Sequence, residues 1–350
     1  MKAAHFLIPG DLATRTGGYL YDRHMIAGLT ALGWQIAVHG LDASFPLPTA
    51  AALAGAEAVC AALPEQALTV VDGLALGALP TVVARHQQRL RLVGLVHHPL
   101  ALETGLDPVT RQRLAASERA ALAQVRGVIV TSPATARALA DYGVAPERCA
   151  VVPPGTAPAA LAQGSGGSEW RLLCVASLTP RKGHAVLFRA LARLPATLRW
   201  QLRCVGSPDL DPVIAAALRW LAEELGLADR ITFTGQLAAT ALAAEYHRAD
   251  LFVLPSHYEG YGMALAEALA RGLPVVSTTA GAIPDTVPTA AGLLTPPGDV
   301  AALAEVLQRI MSDARLRDRL AAGARAARRD LPDWPTACAR FAAALDAIAL

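Results

Sequence analysis

Lysine is nearly absent from this sequence. Lys2 and Lys182 are the only lysines among 31 basic residues, so arginine supplies almost all of the positive charge. The formal net charge is only +2, and acidic and basic residues alternate instead of forming blocks. This balance argues against nucleic acid as the main partner, because nucleic-acid binding normally needs a strongly basic face. The rarity of lysine makes Lys182 a candidate functional residue.

Paired cysteines and long apolar runs are also missing. The five cysteines form no Cys-x-x-Cys pair, and the chain has no paired His/Cys spacing. We therefore expect reduced thiols, a cytoplasmic protein and no metal ion. No segment approaches the roughly 18 uninterrupted apolar residues of a membrane span. The apolar run at residues 3–8 is too short for a signal peptide and is predicted to be a first strand.

A chain of 350 residues exceeds the usual size of one hydrophobic core, so two domains are predicted. Short apolar runs alternate with amphipathic helical patterns, a rhythm typical of an α/β fold with a parallel sheet between two helix layers. The rhythm breaks at a Gly/Ser-rich stretch. We predict an N-terminal domain at 1–163, a linker at 164–169, a C-terminal domain at 170–330, and a last helix within 331–350 that can pack back on the first domain.

Ligands of doubly wound sheets bind outside the carboxyl ends of the strands. With two such domains, these ends can face each other across a central cleft. Strands are predicted at the following apolar runs: 3–8, 35–39, 68–72, 91–97, 127–131, 149–152, 171–176, 200–205, 230–234, 250–254 and 274–277. The segments expected at the cleft are 9–18, Asp72, His97 and His98, 177–182 and 256–267.

The strongest chemical signal is a strand, a glycine-interrupted loop and a helix that includes Glu267. Gly260 and Gly262 let backbone N–H groups approach a ligand closely, and the start of the helix favours a phosphate. Glu259 precedes the helix and can accept hydrogen bonds from sugar hydroxyls, while Glu267 can accept them from a ribose. The alternative is an ordinary turn with two solvated glutamates. Glu267 lies among apolar residues, however, where an unpaired carboxylate would be costly.

A second signal follows the first strand of the second domain, where Arg181 and Lys182 precede a predicted helix. Two cations at a strand-loop-helix junction suit a diphosphate clamp, since the charge of a leaving diphosphate must be neutralised when no metal does so. The alternative is a solvated basic loop.

Three features of the first domain also lie at strand ends. His97 and His98 end one strand; an isolated histidine there is often structural, but a place at the cleft favours a function. Asp72 ends the third strand and can either contact an acceptor or cap the next helix. Gly17 and Gly18 lie at the first strand-helix turn, which lacks the Gly-x-Gly-x-x-Gly spacing of a dinucleotide fold.

With these motifs in place, the sequence resembles the family 4 glycosyltransferases of the GT-B superfamily, most densely from Leu172 to Pro297. The resemblance implies two Rossmann-like doubly wound domains facing a central cleft. It implies that Glu259 touches the donor sugar and supports the transition state, and that Glu267 binds the ribose. The backbone amides of Gly260, Tyr261 and Gly262 would contact the sugar and the phosphate.

The resemblance also assigns roles outside this segment. Lys182, with Arg181, would clamp the diphosphate, and His97, or alternatively His98, would approach the donor sugar. The glycine turn at 17–18 is similar to a family loop near the phosphate and the acceptor. The family usually has Gly-Arg-Leu where this chain has Ala-Ser-Leu, so Ser177 replaces the arginine that grips the diphosphate.

The implied reaction is transfer of a hexosyl group, with retention of configuration, from a UDP- or GDP-sugar to a glycan or lipid-linked acceptor. No metal or other cofactor is expected, and the leaving diphosphate would take the acceptor's proton. A nucleotide-sugar 2-epimerase on the same scaffold is one alternative. A donor-binding protein that has lost its activity, as Ser177 suggests, is the other. Peripheral contact with the inner membrane is compatible with this predicted function, and the sequence indicates no oligomeric state.

Overall fold

We describe residues 2–349 from a computed structural model. The chain forms two compact units. The first unit consists of two segments of the chain, one that ends at Gly155 and one that begins at Pro332. The second unit spans Thr156–Leu331.

The first unit is built on a six-stranded parallel sheet whose order is β2-β1-β3-β4-β5-β6. Its strands are β1 (Ala3–Pro9), β2 (Gln35–Leu41), β3 (Leu68–Asp72), β4 (Arg91–Val96), β5 (Gly127–Val130) and β6 (Cys149–Val151). The central strands are buried on both faces, as expected for a parallel sheet between helix layers. The strand order reverses between β1 and β3, which creates a crevice at the carboxyl ends of these strands.

Six helices of the first unit precede the crossing into the second. They are α1 (Gly17–Ala31), α2 (Ala50–Ala62), α3 (Gly73–Leu76), α4 (Pro80–His86), α5 (Pro108–Leu122) and α6 (Pro133–Ala140). The sequence pattern predicts one helix over 75–88, but the structure has two, α3 and α4. Pro80 explains the break, because proline has no N–H to continue a helix and is favoured in the first turn of a new one.

The second unit is built on another six-stranded parallel sheet, with the order β12-β11-β10-β7-β8-β9. Its strands are β7 (Trp170–Val175), β8 (Trp200–Val205), β9 (Ile231–Gly235), β10 (Leu251–Leu254), β11 (Val275–Thr278) and β12 (Gly292–Thr295). Here the order reverses between β7 and β10. The sequence did not predict β12, which is a four-residue edge strand with only two fully buried positions and so has little apolar pattern.

Seven helices surround this second sheet. They are α7 (His184–Leu191), α8 (Pro212–Glu224), α9 (Ala239–Arg248), α10 (Met263–Ala270), α11 (Ile283–Thr286), α12 (Val300–Ser312) and α13 (Ala314–Ala327). Together with the strands they enclose a continuous apolar core.

The last helix, α14 (Trp334–Ala349), belongs to the first unit. Cys338 of α14 lies so close to Gly28 of α1 that a side chain at Gly28 would overlap the thiol. Trp334 stacks on His24 with a ring separation of 3.7 Å. The C-terminal helix therefore packs on the N-terminal unit.

The sequence predicts a linker between the domains at 164–169. The structure instead divides the chain after Gly155, so these residues do not separate the two units. The Gly/Ser stretch lies wholly within the second unit. Its backbone is held there: the N–H of Ser165 donates to Asp250 Oδ1 at 2.9 Å, and that of Gln163 donates to the His247 carbonyl at 2.8 Å. A glycine-rich composition indicates flexibility in isolation, but these bonds fix this segment.

All five cysteines are free thiols. Burial raises the pKa of Cys174 to about 12 and that of Cys60 to about 11, which keeps both thiols protonated at neutral pH. None of the helices formed by residues 2–349 is both long and apolar enough to cross a membrane.

Candidate functional site

The strand order of the second unit identifies where a ligand can bind. The loops that follow β7 and β10, at residues 176–183 and 255–262, leave neighbouring strands at the point where the order reverses. Ligands of open α/β sheets bind in the crevice between two such loops. Both of the segments singled out in the sequence lie there.

These two loops are held together by hydrogen bonds to backbone carbonyls. The N–H of His257 donates to the Arg181 carbonyl at 2.7 Å, and Arg181 Nη1 donates to the Tyr258 carbonyl at 2.9 Å. Gly183 has a φ of +72°, and a Cβ at this position would lie 2.0 Å from the Pro255 carbonyl oxygen. Only glycine allows this approach, which sets the position of the preceding Lys182.

Lys182 and Glu259 form a buried ion pair between the loops. Lys182 Nζ donates to Glu259 Oε1 at 2.7 Å, and the Ser256 hydroxyl donates to the same oxygen at 2.6 Å. Arg181 Nη1 lies 3.8 Å from Glu259 Oε2. Burial would raise the pKa of Glu259, but Lys182 and Arg181 outweigh it and lower that pKa. The carboxylate is therefore ionised at neutral pH, although only 6% of Glu259 is exposed.

The backbone of Glu259 is held from the other side by the loop after β11. The Glu259 carbonyl accepts a hydrogen bond from the N–H of Ala282 at 2.8 Å. Gly281 has a φ of +57°, and a Cβ there would lie 2.3 Å from the same carbonyl oxygen. Gly281 thus lets the loop approach closely enough to hold Glu259.

Glu267 lies within α10, as predicted, but it has a partner that the sequence did not reveal. The hydroxyl of Tyr246, on α9, donates to Glu267 Oε2 at 3.0 Å, and Arg271 lies over the Tyr246 ring. Burial raises the pKa of Glu267, an effect that the Tyr246 hydrogen bond and Arg271 partly offset. Because Tyr246 donates to it, the Glu267 carboxylate is not unpaired, and its apolar surroundings alone do not require a ligand. No sequence pattern distinguishes Tyr246 from other buried aromatic residues.

The predicted amide donors lie at the start of α10. Gly262 occupies the N-cap position with a φ of 87°, and no side chain caps this helix. Tyr261 is held by its carbonyl, which accepts a hydrogen bond from the Thr286 hydroxyl at 2.6 Å. An uncapped helix start beside Gly260 and Gly262 offers N–H groups and a positive helix end to an anion.

In the first unit, His97 lies against two buried carboxylates. Its Nε2 is 3.2 Å from Asp22 Oδ1 and 3.5 Å from Asp72 Oδ2. Asp22, from α1, is fully buried, and Tyr21 packs edge-on against the imidazole. The sequence singled out His97 and Asp72 but not Asp22, because a single acid inside a helix gives no signal of a distant partner.

The other predicted residues of the first unit have different partners. Gly18 packs against the His97 ring, since a Cβ there would lie 3.2 Å from the ring carbon Cδ2. Gly17 begins α1. His98 Nε2 lies 3.4 Å from Glu103 Oε2, in the loop that follows β4. Asp72 caps α3 by accepting from the Leu74 N–H at 2.9 Å, so it serves as a helix cap as well as a partner of His97.

The charges of this cluster depend on one another. Burial lowers the pKa of His97, but the charge of Asp22 and the hydrogen bonds that the ring donates to both carboxylates outweigh it and raise the pKa. Burial also raises the pKa of Asp22, and His97 partly offsets this. Asp22, Asp72 and His97 each place one ligand atom within 4.8 Å of the others, close enough to surround a cation. Sequence spacing does not reveal this cluster, since its members lie far apart in sequence.

Comparison with known proteins places this architecture in a family. Residues 162–327 match the family model described as "Glycosyl transferases group 1", and residues 23–159 match the one described as "Glycosyltransferase Family 4". The chain belongs to the family 4 glycosyltransferases.

Relatives with assigned names are similar over much of the chain. The "MMP alpha-(1->4)-mannosyltransferase" of Mycolicibacterium hassiacum is 30% identical over 268 residues, which cover 72% of this chain and 64% of that protein. The "D-inositol 3-phosphate glycosyltransferase" of Stackebrandtia nassauensis is 33% identical over 245 residues, or 64% of this chain and 54% of that protein. The matches thus span only about half to two thirds of these relatives.

Solved structures share the whole fold. Sucrose-phosphate synthase from Thermosynechococcus elongatus has a TM-score of 0.81 at 24% identity, covering 97% of this chain and 98% of the other. Anabaena Alr3699/HepE in complex with UDP and glucose has a TM-score of 0.75 at 20% identity, covering 98% and 99%. The two six-stranded parallel sheets with their helix layers are the GT-B fold of such structures, as the sequence predicts.

Within this family 4 glycosyltransferase, Ser177 is a predicted donor residue that is not joined to the Lys182–Glu259 pair in the part of the chain that the structure describes. It lies in the loop after β7, where its carbonyl accepts a hydrogen bond from the Thr179 N–H at 2.9 Å. Among residues 2–349, no hydrogen bond joins its side chain to the Lys182–Glu259 pair. Arg181, in contrast, is within 3.8 Å of Glu259. The cationic side chain at this crevice beside Lys182 is therefore Arg181.

Proposed function

We propose that this family 4 member is a retaining glycosyltransferase that moves a hexosyl group from a UDP- or GDP-sugar to a glycan or lipid-linked acceptor, without a metal ion. The observation that carries the proposal is the buried Lys182–Glu259 ion pair at the point where the strand order of the second sheet reverses. A cation for the diphosphate and a carboxylate for the sugar are thereby held at the position where such folds bind ligands.

Lys182 and Arg181 are suited to hold the diphosphate. Both side chains are mostly buried, with 14% and 19% exposed, so their charges are screened less by water than surface charges are. The uncapped start of α10 adds backbone N–H donors and a positive helix end. These groups supply the positive charge that a bound metal provides in other transferases, which is the basis for proposing a metal-independent reaction.

The two glutamates would then bind the rest of the donor. Glu259 is ionised and oriented by Ser256, so it can stabilise positive charge that develops on the sugar ring as the leaving group departs. Glu267 is held by Tyr246 and can accept hydrogen bonds from the ribose hydroxyls.

The proposed step needs no protein nucleophile. The bond between the anomeric carbon and the diphosphate oxygen breaks, and the acceptor oxygen bonds to the anomeric carbon from the same face of the ring. The acceptor's proton passes to the departing diphosphate oxygen, which becomes part of the released nucleoside diphosphate. Lys182 and Arg181 stabilise the negative charge on this leaving group, and Glu259 stabilises the oxocarbenium-like centre.

The names of relatives bear on donor and acceptor. One relative is named as a "GDP-mannose-dependent" mannosyltransferase acting on a phosphatidylinositol monomannoside, and it is 32% identical over 181 residues. Others are named for inositol 3-phosphate or MMP. A mannosyl donor and a hydroxyl acceptor that carries a phosphate or a lipid are therefore the first combinations to test. A lipid-linked acceptor would bring the protein to the cytoplasmic face of the inner membrane.

The test is a transfer assay with UDP- and GDP-sugars and a set of glycan, inositol and lipid-linked acceptors, with a metal chelator present. We expect release of nucleoside diphosphate that depends on the acceptor, and an α-linked product from an α-linked donor by NMR. A β-linked product would contradict retention, and a requirement for added metal would contradict the clamp. An epimerised sugar formed from donor alone would indicate the 2-epimerase, and tight donor binding with no transfer would indicate lost activity.

A further inference from the structure

His97 lies at the end of β4 with one ring nitrogen directed at carboxylates. Nε2 is the atom within 3.2 Å of Asp22 Oδ1 and 3.5 Å of Asp72 Oδ2. The two acids come from different elements, since Asp22 is on α1 and Asp72 ends β3. Neither neighbour of His97 in the sequence contributes to this arrangement. The orientation of the ring is thus set by tertiary contacts.

The face of α1 that meets His97 is shaped for it. Gly18 and Asp22 are four residues apart and therefore lie on one side of the helix. A Cβ at Gly18 would lie 3.2 Å from His97 Cδ2 and 3.4 Å from Nε2, so the missing side chain provides room for the ring. Tyr21 closes the edge, with its ring 5.6 Å from the imidazole at 83°. The hydroxyl of Tyr21 is fixed by the Val152 carbonyl.

Asp22 is not explained as a structural residue. It is fully buried, yet among residues 2–349 its Oδ2 has no hydrogen-bond partner, and its Oδ1 accepts a hydrogen bond from His97. The neighbouring Arg23 is bound to the backbone carbonyls of Leu12 and Thr14 instead. Burying a carboxylate without full hydrogen bonding costs free energy, so its retention beside one imidazole nitrogen needs a reason.

The second ring nitrogen of His97, Nδ1, is available to bind a ligand. His97 Nδ1 has no hydrogen-bond partner in the part of the chain that the structure describes, and it is not among the fully buried polar atoms. About 20% of the His97 side chain is exposed. With two carboxylates on Nε2, that nitrogen carries a proton, and the ring balances their charge best when Nδ1 carries one as well.

We propose that Asp22 is a positioning residue, which holds the Nε2–H of His97 so that the ring presents Nδ1–H to an oxygen atom of the bound substrate. The proposal rests on the transferase activity put forward above, because it assigns His97 a substrate to donate to. The oxygen acceptor is a sugar hydroxyl or a phosphate, the two oxygen types that a nucleotide sugar offers.

The test compares Asp22→Asn, which keeps the shape and removes the charge, with Asp141→Asn, an exposed matched control on the same unit. We expect Asp22→Asn to lower kcat on the order of tenfold to a hundredfold while KM for the donor changes little, as expected for a misplaced catalytic group. Asp22→Glu should recover part of kcat. A kcat of Asp22→Asn equal to that of Asp141→Asn would overturn the proposal. A loss of kcat fully explained by the fraction of Asp22→Asn that is unfolded would overturn it as well.

A second readout does not need turnover. In the wild type, the NMR cross-relaxation between the His97 Hδ2 proton and the Gly18 α protons should be strong, because the ring packs on Gly18. Asp22→Asn should weaken it and shift the ring nitrogen resonances, and an unchanged ring would overturn the role of Asp22. A wild-type protein that transfers no sugar would refute the proposed function alone, since this NMR comparison judges Asp22 independently.

Discussion

Lys182 Nζ lies 2.7 Å from Glu259 Oε1, so the cation proposed for the diphosphate and the carboxylate proposed for the sugar are bonded to each other. Each group offsets the cost of burying the other before a ligand binds. A diphosphate can then compete for Lys182 and leave Glu259 free to face the sugar.

Replacing Glu259 by glutamine should separate binding from chemistry. Glutamine keeps the Ser256 hydrogen bond but has no charge to stabilise the sugar, so we expect kcat to fall on the order of a hundredfold to a thousandfold. Nucleoside diphosphate should bind as tightly as in the wild type, or more tightly, because Lys182 is released. Steady-state kinetics and calorimetry measure both, with the exposed Glu223→Gln as control. Near-wild-type turnover in Glu259→Gln would remove Glu259 from the mechanism.

Tyr246→Phe should weaken donor binding through Glu267. The variant keeps a ring that stacks on Phe252 and removes only the hydroxyl that donates to Glu267. One hydrogen bond is worth about 0.5–1.5 kcal/mol, so we expect a roughly threefold to tenfold rise in the Kd of the nucleoside diphosphate. The effect should disappear with the 2′,3′-dideoxy nucleotide. An equal loss with both nucleotides would show that Tyr246 does not act through the ribose.

Gly281→Ala should displace Glu259 and destabilise the second unit. Its Cβ would meet the Glu259 carbonyl oxygen, a backbone atom that cannot move aside cheaply. Gly226→Ala is the matched control, because Gly226 also has a positive φ, +67°, but a Cβ there would meet no other atom within 4 Å. In denaturant unfolding, we expect Gly281→Ala to lower the free energy of unfolding by about 1–3 kcal/mol more than Gly226→Ala does. Equal costs would mean that the loop yields and does not hold Glu259.

Glu118 should make the stability of the first unit depend on pH. It is buried on α5, accepts a hydrogen bond from the Leu100 N–H at 2.9 Å, and burial raises its pKa to about 8. Its pKa is higher in the folded than in the unfolded protein, so its stabilising contribution is complete below the unfolded pKa. That contribution is lost as pH rises through about 8.

Glu118→Gln cannot ionise, and we expect its melting temperature to fall less than that of the wild type between about pH 6 and about pH 9. The exposed Glu147→Gln should behave as the wild type does. If the melting temperatures of the wild type and Glu118→Gln fall equally between these pH values, burial does not raise the pKa of Glu118.

Most of the fold follows from local signals in the sequence. Buried parallel strands give continuous apolar runs, so β7 and β10 are recognisable, and strand ends locate Lys182 and Glu259 without knowledge of contacts. Edge strand β12 is too short and too exposed to give such a run. The Gly/Ser stretch around Ser165 looks flexible in sequence, and only its contacts with Asp250 show that it belongs to the second unit.

The partners within the site are harder to foresee. Asp22 and His97 are 75 positions apart, and Tyr246 and Glu267 are 21 apart, so no spacing rule connects them. A single acid or tyrosine inside a helix fits many roles, and its partner depends on how the helix docks on the sheet.

The most direct test of the central claim is calorimetric titration of UDP and GDP into the protein with a chelator present. For the nucleoside diphosphate that binds the wild type, Lys182→Ala should raise the Kd by about tenfold or more. The reason is that a charge-assisted hydrogen bond to a buried cation is lost. Lys2→Ala, which removes the other lysine from an exposed ion pair, should bind as the wild type does. Undiminished binding by Lys182→Ala, or binding only after metal is added, would contradict the proposed clamp.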